Sequence, residues 1–262
     1  MHLFEFEDQP WFPHAFRKYL TDVVQFISNR AVERSPVLEV LARLLDRAGA
    51  DSIVDLCSGS SGPLPALRGR LEARRGAVRV LLTDKYPHLA AYAAEEVRSA
   101  GRVRYRAEAV DATAVPADLK GVRTLFASLH HFKPDQVRAI LADAARQRCG
   151  IGVFEGTERT PRALLMTAVM APLFALGAAL AIRPFRWGRL FWTCLIPVIP
   201  LATVWDGLVS CLRTYSIEEL RDLAESVSAR DYVWETGSAP IRSTPVLLTY
   251  LLGYPGPAGT SV

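Results

Sequence analysis

The stretch IVDLCSGSSG, residues 53–62, decides how the rest of the chain is interpreted. It starts as an apolar run, reaches an acid at Asp55 and ends in a turn of small residues that contains Gly59 and Gly62. In open parallel sheets, ligands bind beyond the carboxyl ends of the strands, and glycines there let backbone N–H groups approach a polar ligand closely. The stretch alone fits an ordinary strand-to-helix turn as well as a binding loop.

Strand-like and helix-like patterns alternate from residue 35 to residue 156. Ser35 and Pro36 have the types expected at a helix start. Helical patterns of about ten to fifteen residues separate most of the strand-like runs, which predicts βαβ units and a parallel sheet. Right-handed crossovers place the turns that follow the strands along one edge of that sheet. The strand-like runs are residues 53–57, 78–84, 103–107, 122–128 and 150–154.

The chain after residue 213 predicts a different arrangement. Ser216 and Glu219 have the spacing of a capping box, which predicts a helix that ends near Ser228. Residues 232–235 and 246–252 have strand patterns with no helix between them, so we expect an antiparallel pair. The connection, residues 236–245, is rich in Gly, Ser and Pro, and residues 255–262 are expected to be disordered.

Composition excludes several classes of protein. The chain has 262 residues, half of them apolar, and a formal net charge of +4, which suits a globular α/β protein. Its four cysteines lack CxxC spacing, so we expect a reducing compartment and no metal site. No basic stripe is interleaved with aromatic residues, which argues against nucleic acid as a partner. The acidic N-terminus differs from a signal peptide and favours a cytoplasmic location.

Two further acids follow predicted strands. Asp84 ends the second strand, where a carboxylate can accept hydrogen bonds from both hydroxyls of a ribose. Asp111 follows the third strand, in a suitable place for the exocyclic amine of an adenine. The turn lacks the G-x-G-x-x-G of dinucleotide sites, and the small polar residues between Gly59 and Gly62 suit a carboxylate and an amino group better than a pyrophosphate.

Together these segments resemble the class I S-adenosylmethionine-dependent methyltransferases. Residues 54–62 are similar to the family's first motif, 82–85 to its ribose-binding second, 110–112 to its adenine-contacting third and 126–132 to its fourth. The two tail strands match the family's closing hairpin. The resemblance covers about residues 35–156 and 214–253. It departs from the family at Cys57 and Ser58, where Gly and a small residue are frequent, and in a loop one residue longer.

The resemblance implies an α/β fold, Rossmann-like, with a mostly parallel seven-stranded sheet, helices on both faces and a closing antiparallel hairpin. It also implies S-adenosylmethionine as cofactor. Asp55 and the loop with Cys57, Ser58, Gly59 and Gly62 would hold the methionyl end. The other implied contacts are Asp84 and Lys85 for the ribose, Asp111 and Ala112 for the adenine, and Ser128 and His130 for the sulfonium side. A helix cap at Asp84 and a turn aspartate at Asp111 are the alternatives.

Candidate catalytic groups follow from the same comparison. Methyl transfer is an in-line displacement at an activated carbon, so positioning can carry much of it, and a base is needed only for a protonated acceptor. His131 is the nearest candidate base and Glu155 the second. A structural role for His131 stays open, and Glu155 has as alternatives the orientation of its loop or pairing with Arg159 or Arg162.

The N-terminal residues 1–34 predict an aromatic helical cap. A helical pattern runs from about Phe16 to Asn29. It either packs on the core or forms a lid over a ligand cleft, and Trp11, Phe12 and Phe16 are the candidate substrate contacts in the lid.

Residues 157–213 form an apolar insertion outside the family pattern. Residues 163–182 and 190–205 are uncharged, and the link between them carries three arginines. Runs of this length require a transmembrane hairpin to be considered. However, Pro197 and Pro200 interrupt the second run, and the linking arginines would lie across the membrane from the domain, against the positive-inside tendency. An in-plane or re-entrant membrane hairpin, with tryptophans at headgroup level, and a soluble lid are the alternatives. Either predicts an apolar acceptor, with Trp187 and Trp205 as candidate substrate contacts.

We therefore expect an S-adenosylmethionine-dependent methyltransferase that acts on a hydrophobic small molecule or lipid, at the inner face of a membrane. Its expected parts are the cap (1–34), the cofactor-binding domain (35–156 and 214–254) and the insertion (157–213), followed by the tail (255–262). Two alternatives stay open: a transfer other than methyl on the same fold, and a membrane-associated binding protein without catalysis.

Overall fold

The computed structural model describes residues 3–227, 230–242, 244 and 246–256. The chain divides into two compact units. The first unit consists of residues 1–31 and 157–215, and the second of residues 32–156 and 216–262. The N-terminal segment and the insertion therefore belong to the same unit, and the sheet belongs to the other.

A seven-stranded sheet forms the centre of the second unit. Its strands are β1 Ser52–Leu56, β2 Arg79–Leu82, β3 Val103–Tyr105, β4 Val122–Phe126, β5 Ile151–Glu155, β6 Tyr232–Pro240 and β7 Leu247–Pro255. The order is β3-β2-β1-β4-β5-β7-β6, with the first five strands parallel and β7 antiparallel to both β5 and β6. The expected mostly parallel sheet with a closing antiparallel hairpin is confirmed.

The helices follow the strands as the alternating pattern predicts. In chain order they are α1 His14–Arg34, α2 Val37–Arg47, α3 Leu64–Arg75, α4 Leu89–Arg98, α5 Pro134–Arg146, α6 Pro161–Ala181, α7 Trp187–Leu190, α8 Val198–Arg213 and α9 Ile217–Glu225. The capping box at α9 is present, because Ser216 Oγ accepts from the Glu219 N–H at 3.2 Å and Glu219 Oε2 accepts from the Ser216 N–H at 2.8 Å. Both interactions satisfy N–H groups that the first turn of a helix leaves without partners.

Both faces of the sheet are covered. Ile53, Val80 and Leu82 belong to a core cluster that also contains apolar residues of α2, α3 and α4. Val54 and Val153 lie outside that cluster and are buried as well. Since successive strand residues point to opposite faces, β1 is buried on both sides, as in sheets sandwiched between helices. The helices α5 and α9 pack against each other and against β7.

Several predicted boundaries were wrong. The first helix continues to Arg34 instead of ending near Asn29. The strand β6 continues to Pro240, through half of the expected loop, because it is an edge strand that tolerates a proline at its end. Pro255 belongs to β7 and not to the expected tail. The rest of the predicted tail, 257–262, and the helix end at Ser228 lie outside the described residues.

The first unit is helical. The helix α6 packs against α8, and its residues Ala175 and Ala178 form a cluster with Val23 of α1 and Ile199 of α8. After α7, a π-helical turn at Phe191–Leu195 leads to a break before α8, and the two arms are bent by 74°. The predicted interruption at Pro197 is found there, whereas Pro200 lies in the first turn of α8, where the ring fits.

Among the described residues, α6 is the one helix that is long and apolar enough to cross a membrane, and a second span results only if the bent pair is counted as one. Length and composition alone are weak support for a membrane span.

The N-terminal segment is tied to α8 by polar contacts. The carboxylate of Asp206 accepts hydrogen bonds from the Phe6 N–H at 2.7 Å and the Glu7 N–H at 3.2 Å. Burial raises the pKa of Asp206 to about 7, against the lowering effect of these two hydrogen bonds. Trp205 Nε1 donates to the Phe4 carbonyl at 2.9 Å.

A buried ion pair fastens α5 to the sheet. Arg123 of β4 donates to Asp143 of α5 at 2.7 Å, and their side chains are 1% and 2% exposed. We expect Asp143→Ala to lower the free energy of unfolding by about 3–5 kcal/mol, because it leaves a buried guanidinium without its counter-charge. Urea unfolding followed by tryptophan fluorescence measures this.

The matched control for this prediction is Asp135→Ala on the same helix, whose exposed pair with Arg138 at 2.7 Å should contribute less than about 1 kcal/mol. Equal losses in the two variants would contradict the prediction.

Candidate functional site

The loop after β1 has an unusual backbone. Cys57, Gly59, Ser61 and Gly62 all have positive φ, at 58°, 53°, 111° and 59°. A side chain at Gly62 would come within 3.2 Å of Asp55 Oδ2, whereas one at Gly59 would meet nothing within 4 Å. Cys57 occupies a left-handed position that favours glycine. The loop thus has one tightly packed glycine and one that faces open space.

Asp55 supports this loop from beneath. Its side chain is buried, and its two oxygens accept hydrogen bonds from Ser58 Oγ at 2.7 Å and Thr124 Oγ1 at 2.6 Å. Burial raises the pKa of Asp55 to about 7, opposed by the two hydroxyl donors, and the charge of Asp84 adds to the rise. Asp55 therefore joins β1, its loop and β4. Direct contact with a methionyl group stays a prediction.

Asp84 meets the loop at its open side. Its Oδ2 accepts a hydrogen bond from the Gly59 N–H at 2.9 Å, and its Oδ1 accepts one from the Tyr86 N–H at 2.8 Å. The carboxylate is only partly buried, and a carboxylate has lone pairs for about four donors. Two backbone N–H groups therefore hold Asp84 in place and leave acceptor capacity at the surface.

Asp111 lies beside Asp84 along the same edge. The Val110 N–H donates to the Asp84 carbonyl at 2.9 Å, which brings the two segments together. Asp111 accepts from the hydroxyl and backbone N–H of Thr113 at 2.6 and 2.9 Å, and from Lys85 Nζ at 2.9 Å. These contacts, with the Thr113 hydroxyl first, lower the pKa of Asp111 to about 2. Asp111 forms a turn, and Lys85 contacts this turn.

The turn after β4 is organised by Glu155. Its Oε1 accepts from the Leu129 N–H at 2.8 Å, and its Oε2 is 2.9 Å from His130 Nδ1. Burial by itself would raise the pKa of Glu155, but the charge and hydrogen bond of His130 and the Leu129 N–H outweigh it, so the pKa is lowered. Both oxygens are engaged, which matches an orienting role for Glu155.

His131 is exposed, and its ring lies 4.4 Å from that of His130, centroid to centroid. A proton-transfer role for His131 or Glu155 stays a prediction.

Two residues of this site escaped sequence reasoning. Thr124 pairs directly with Asp55 in the register of β1 and β4, so both side chains lie on one face of the sheet. Thr83 binds the Asp55 carbonyl through its hydroxyl at 2.8 Å. The available signals were a polar residue inside the apolar strand β4 and another directly after β2. Only the register of the parallel strands shows that both residues lie beside Asp55.

The predicted substrate contacts all belong to the first unit. Phe12 is buried with Leu20 and Ala202, and Phe16 packs edge-on to Trp192 at 4.9 Å. Trp11 and Trp187 are exposed, and Trp205 lies close to Phe4, with ring centroids 5.4 Å apart. Their contact with a substrate stays a prediction.

The comparisons with known proteins agree with this geometry. No protein-family model matches the sequence, and no curated protein matches it significantly. Among solved structures, an O-methyltransferase family protein from Burkholderia thailandensis is similar at 15% identity and a TM-score of 0.51, over 94% of this chain and 62% of that one. The plantazolicin methyltransferase BpumL, in complex with SAH, is similar at 10% identity and 0.50, over 95% and 92%.

The apo form of the S-adenosylmethionine-dependent methyltransferase SibL is similar at 16% identity and a TM-score of 0.50, over 84% of this chain and 55% of that one. The chain spans less than two thirds of the length of the Burkholderia protein and of SibL. The chain has the class I methyltransferase fold.

In this fold the strand order reverses between β1 and β4, and ligands bind in the crevice beyond the carboxyl ends at such a point. The structure brings the predicted residues of all four motifs to this edge of the methyltransferase fold.

Asp55 makes a testable contribution to stability. The pKa of about 7 in the folded protein lies above the ordinary 3.8, so between pH 4 and 7 the folded protein retains a proton that the unfolded chain loses. The free energy of unfolding therefore falls as pH rises through this range, by on the order of 4 kcal/mol. We expect Asp55→Asn to remove this fall, measured by urea unfolding at several pH values.

Asp206 contributes equally to both profiles, so their difference isolates Asp55. Parallel profiles for the wild type and Asp55→Asn would contradict the assignment.

Glu155 should act with the opposite sign. Because its pKa is lowered by His130 and the Leu129 N–H, it stabilises the fold above its ordinary pKa of 4.5, and this contribution is lost as pH falls through the lower value. We expect Glu155→Gln to be destabilised at pH 7, with the difference from the wild type shrinking below pH 4.5. Glu108→Gln, at an exposed acid that pairs with Arg106, is the control and should show no such convergence.

Proposed function

We propose that the second unit binds S-adenosylmethionine and that the protein transfers the methyl group to a hydrophobic small molecule or lipid at the cytoplasmic face of a membrane. The observation on which the proposed cofactor site depends is the hydrogen bond from the Gly59 N–H to Asp84. It joins the glycine loop and the strand-end acid at the switch point of the sheet. The bound SAH in the BpumL structure supports the same assignment.

The residues at this edge fit the cofactor. Gly59 is exposed, and no heavy atom lies within 4 Å of the position that a Cβ would take there, so a ligand can approach this side of the backbone. Asp84 keeps acceptor capacity for the two ribose hydroxyls. The buried hydroxyls of Ser128 and Tyr92 make no hydrogen bond of ordinary length and angle with the described residues; Ser128 lies near the Cys57 thiol and Tyr92 near Ser58. Buried polar groups are normally satisfied. A polar ligand at this edge supplies partners of the kind these hydroxyls lack.

The chemistry divides between cofactor and protein. S-adenosylmethionine supplies a methyl group already activated on a sulfonium. The loop of residues 57–62 and Asp84 bind and orient the cofactor, and the Glu155–His130 pair holds the turn after β4. Where the methyl acceptor carries a proton, the proposal assigns the role of general base to His131, which is exposed next to that pair. Such positioning accounts for a large share of rate enhancement in bimolecular transfers.

The first unit supports the hydrophobic acceptor. The chain enters it directly after β5, and its helices expose large apolar side chains, such as Leu165, Leu173 and Leu195. Exposed apolar surface of this extent marks binding sites for apolar partners or membranes. Trp11 and Trp187 add exposed aromatic surface in the same unit.

Calorimetry with S-adenosylhomocysteine tests the cofactor. We expect binding by the full chain and at least a tenfold loss in Asp84→Asn, because hydrogen bonds to a charged acceptor contribute about 1.5–3 kcal/mol. Asp51→Asn is the matched control, since Asp51 directly precedes the amino end of β1 and pairs with Arg79 at 2.8 Å. A folded wild type that does not bind would sink the proposal.

Transfer of a labelled methyl group into an organic extract separates the alternatives. Label in the organic phase supports methyl transfer to a hydrophobic acceptor. Cofactor binding without any transfer would favour a binding protein. Consumption of the cofactor without label transfer would favour transfer of another group.

A further inference from the structure

The helix α6 is packed inside out. Its small residues Ala171, Ala175 and Ala178 are buried. Its large aliphatic residues point outward and follow helical spacing along one face: Leu165, Val169, Leu173, Leu176 and Leu180. Leu165 is 68% exposed and Leu180 is 59% exposed. Helices on water-soluble domains bury their large apolar side, whereas helices in lipid pack through small residues and turn the large ones outward.

The side of α6 that carries the buried alanines is covered by protein. Ala175 and Ala178 pack against Val23 of α1, and α1 also carries exposed charges at Lys18 and Arg30. The helix α8 packs on α6 and contains the buried carboxylate of Asp206. The side of α6 that packs on α1 and α8 is therefore closed to a bilayer, whereas the outward face is open to one. If α6 crossed the bilayer, the charges of α1 would be carried into hydrocarbon, which is costly.

The charges around this face suit an anionic surface. Residues 159–205 contain five arginines and no lysine, aspartate or glutamate. Arg189 is buried and paired with Asp22 of α1, so the other four arginines supply the positive charge at the surface. Arg183, just after α6, is exposed, and so are the aromatic rings of Phe185 and Trp187 that follow it. Arginine with tryptophan is the composition of segments at the headgroup level, and anionic lipids attract the positive charge.

The segment after α7 extends the apolar surface. Residues 191–195 pack against α6, and Phe191 and Leu195 in this segment are exposed. Leu201, in the first turns of α8, is exposed as well. The apolar surface thus includes two elements that contact each other, bordered by basic residues.

We propose that the outward face of α6, with Leu195 and the Arg183–Trp187 link, seats the protein on an anionic bilayer, with α6 parallel to the membrane plane. The helix enters to the boundary between headgroups and acyl chains and does not cross. This inference rests on the membrane location in the proposed function and adds the residues and the orientation. The face commits the protein to a monotopic attachment of the kind amphipathic helices make.

Vesicle flotation of the full chain tests the face. On vesicles with one third anionic lipid, we expect Leu165→Gln, Leu173→Gln and Leu180→Gln combined to lower the partition coefficient at least tenfold. The matched control is Leu89→Gln with Val97→Gln on α4, which removes comparably exposed apolar residues and should leave flotation unchanged. Arg183→Gln with Arg186→Gln should weaken flotation on anionic vesicles several-fold and leave flotation on neutral vesicles unchanged.

Depth-dependent quenching tests the orientation. Lipids brominated near the headgroup should quench the Trp187 signal, defined by difference from Trp187→Phe, more strongly than lipids brominated near the chain ends. Stronger quenching by the deep bromines would overturn the in-plane orientation.

Two further outcomes would overturn the proposal that this face binds the membrane. The first is equal flotation of the triple variant and the wild type. The other is a wild-type dimer that the triple variant converts to a monomer while neither floats, since the face would then bind a second copy. Calorimetry with S-adenosylhomocysteine keeps the questions separate. A triple variant that binds S-adenosylhomocysteine but does not float is folded, so its loss of flotation comes from the face. A wild type that floats without binding S-adenosylhomocysteine contradicts the cofactor assignment and leaves the membrane proposal standing.

Discussion

A single buried carboxylate holds the centre of the sheet. Asp55 accepts hydrogen bonds from Thr124 across the β1–β4 pair and from Ser58 in the loop above it. The strand order reverses at this point, and ligands bind in the crevice between the loops that follow two such strands. Burial makes the ionised form of Asp55 costly, so the hydroxyl donors are needed to keep this polar group inside the fold.

The edge of the sheet is built from contacts between segments distant in sequence. Asp84 accepts a hydrogen bond from an N–H of the loop after β1, and Asp111 accepts one from Lys85. Glu155 accepts one from an N–H of the turn after β4. Each contact fixes one loop through a neighbouring strand. The sheet thereby fixes the positions of side chains that lie on loops. This is the general reason that binding residues often occur on loops at the ends of strands.

The sequence predicted the second unit in more detail than the apolar insertion of the first unit. Alternation of strand and helix patterns, the capping box at Ser216 and the acids at strand ends were sufficient to predict the sheet, its hairpin and the edge at which these acids lie. These signals are local and repeat at a period set by backbone geometry. The full length of β6 was missed, because its last residues resemble a loop and form a strand only through pairing with β7. Residues 163–182 and 190–205 of the first unit are uniformly apolar, so they have no hydrophobic period from which an exposed face could be predicted.

The sequence by itself determined the order of elements and the placement of Asp55, Asp84, Asp111 and Glu155 at the carboxyl ends of strands, because hydrophobic periodicity and turn residues act over a few positions. Only the tertiary structure decided which of these groups support the site and which face outward, since the partner of Asp55 lies 69 residues away. The same holds for α6. Its residues are apolar on every side, and which side is exposed depends on the neighbours that α1 and α8 supply.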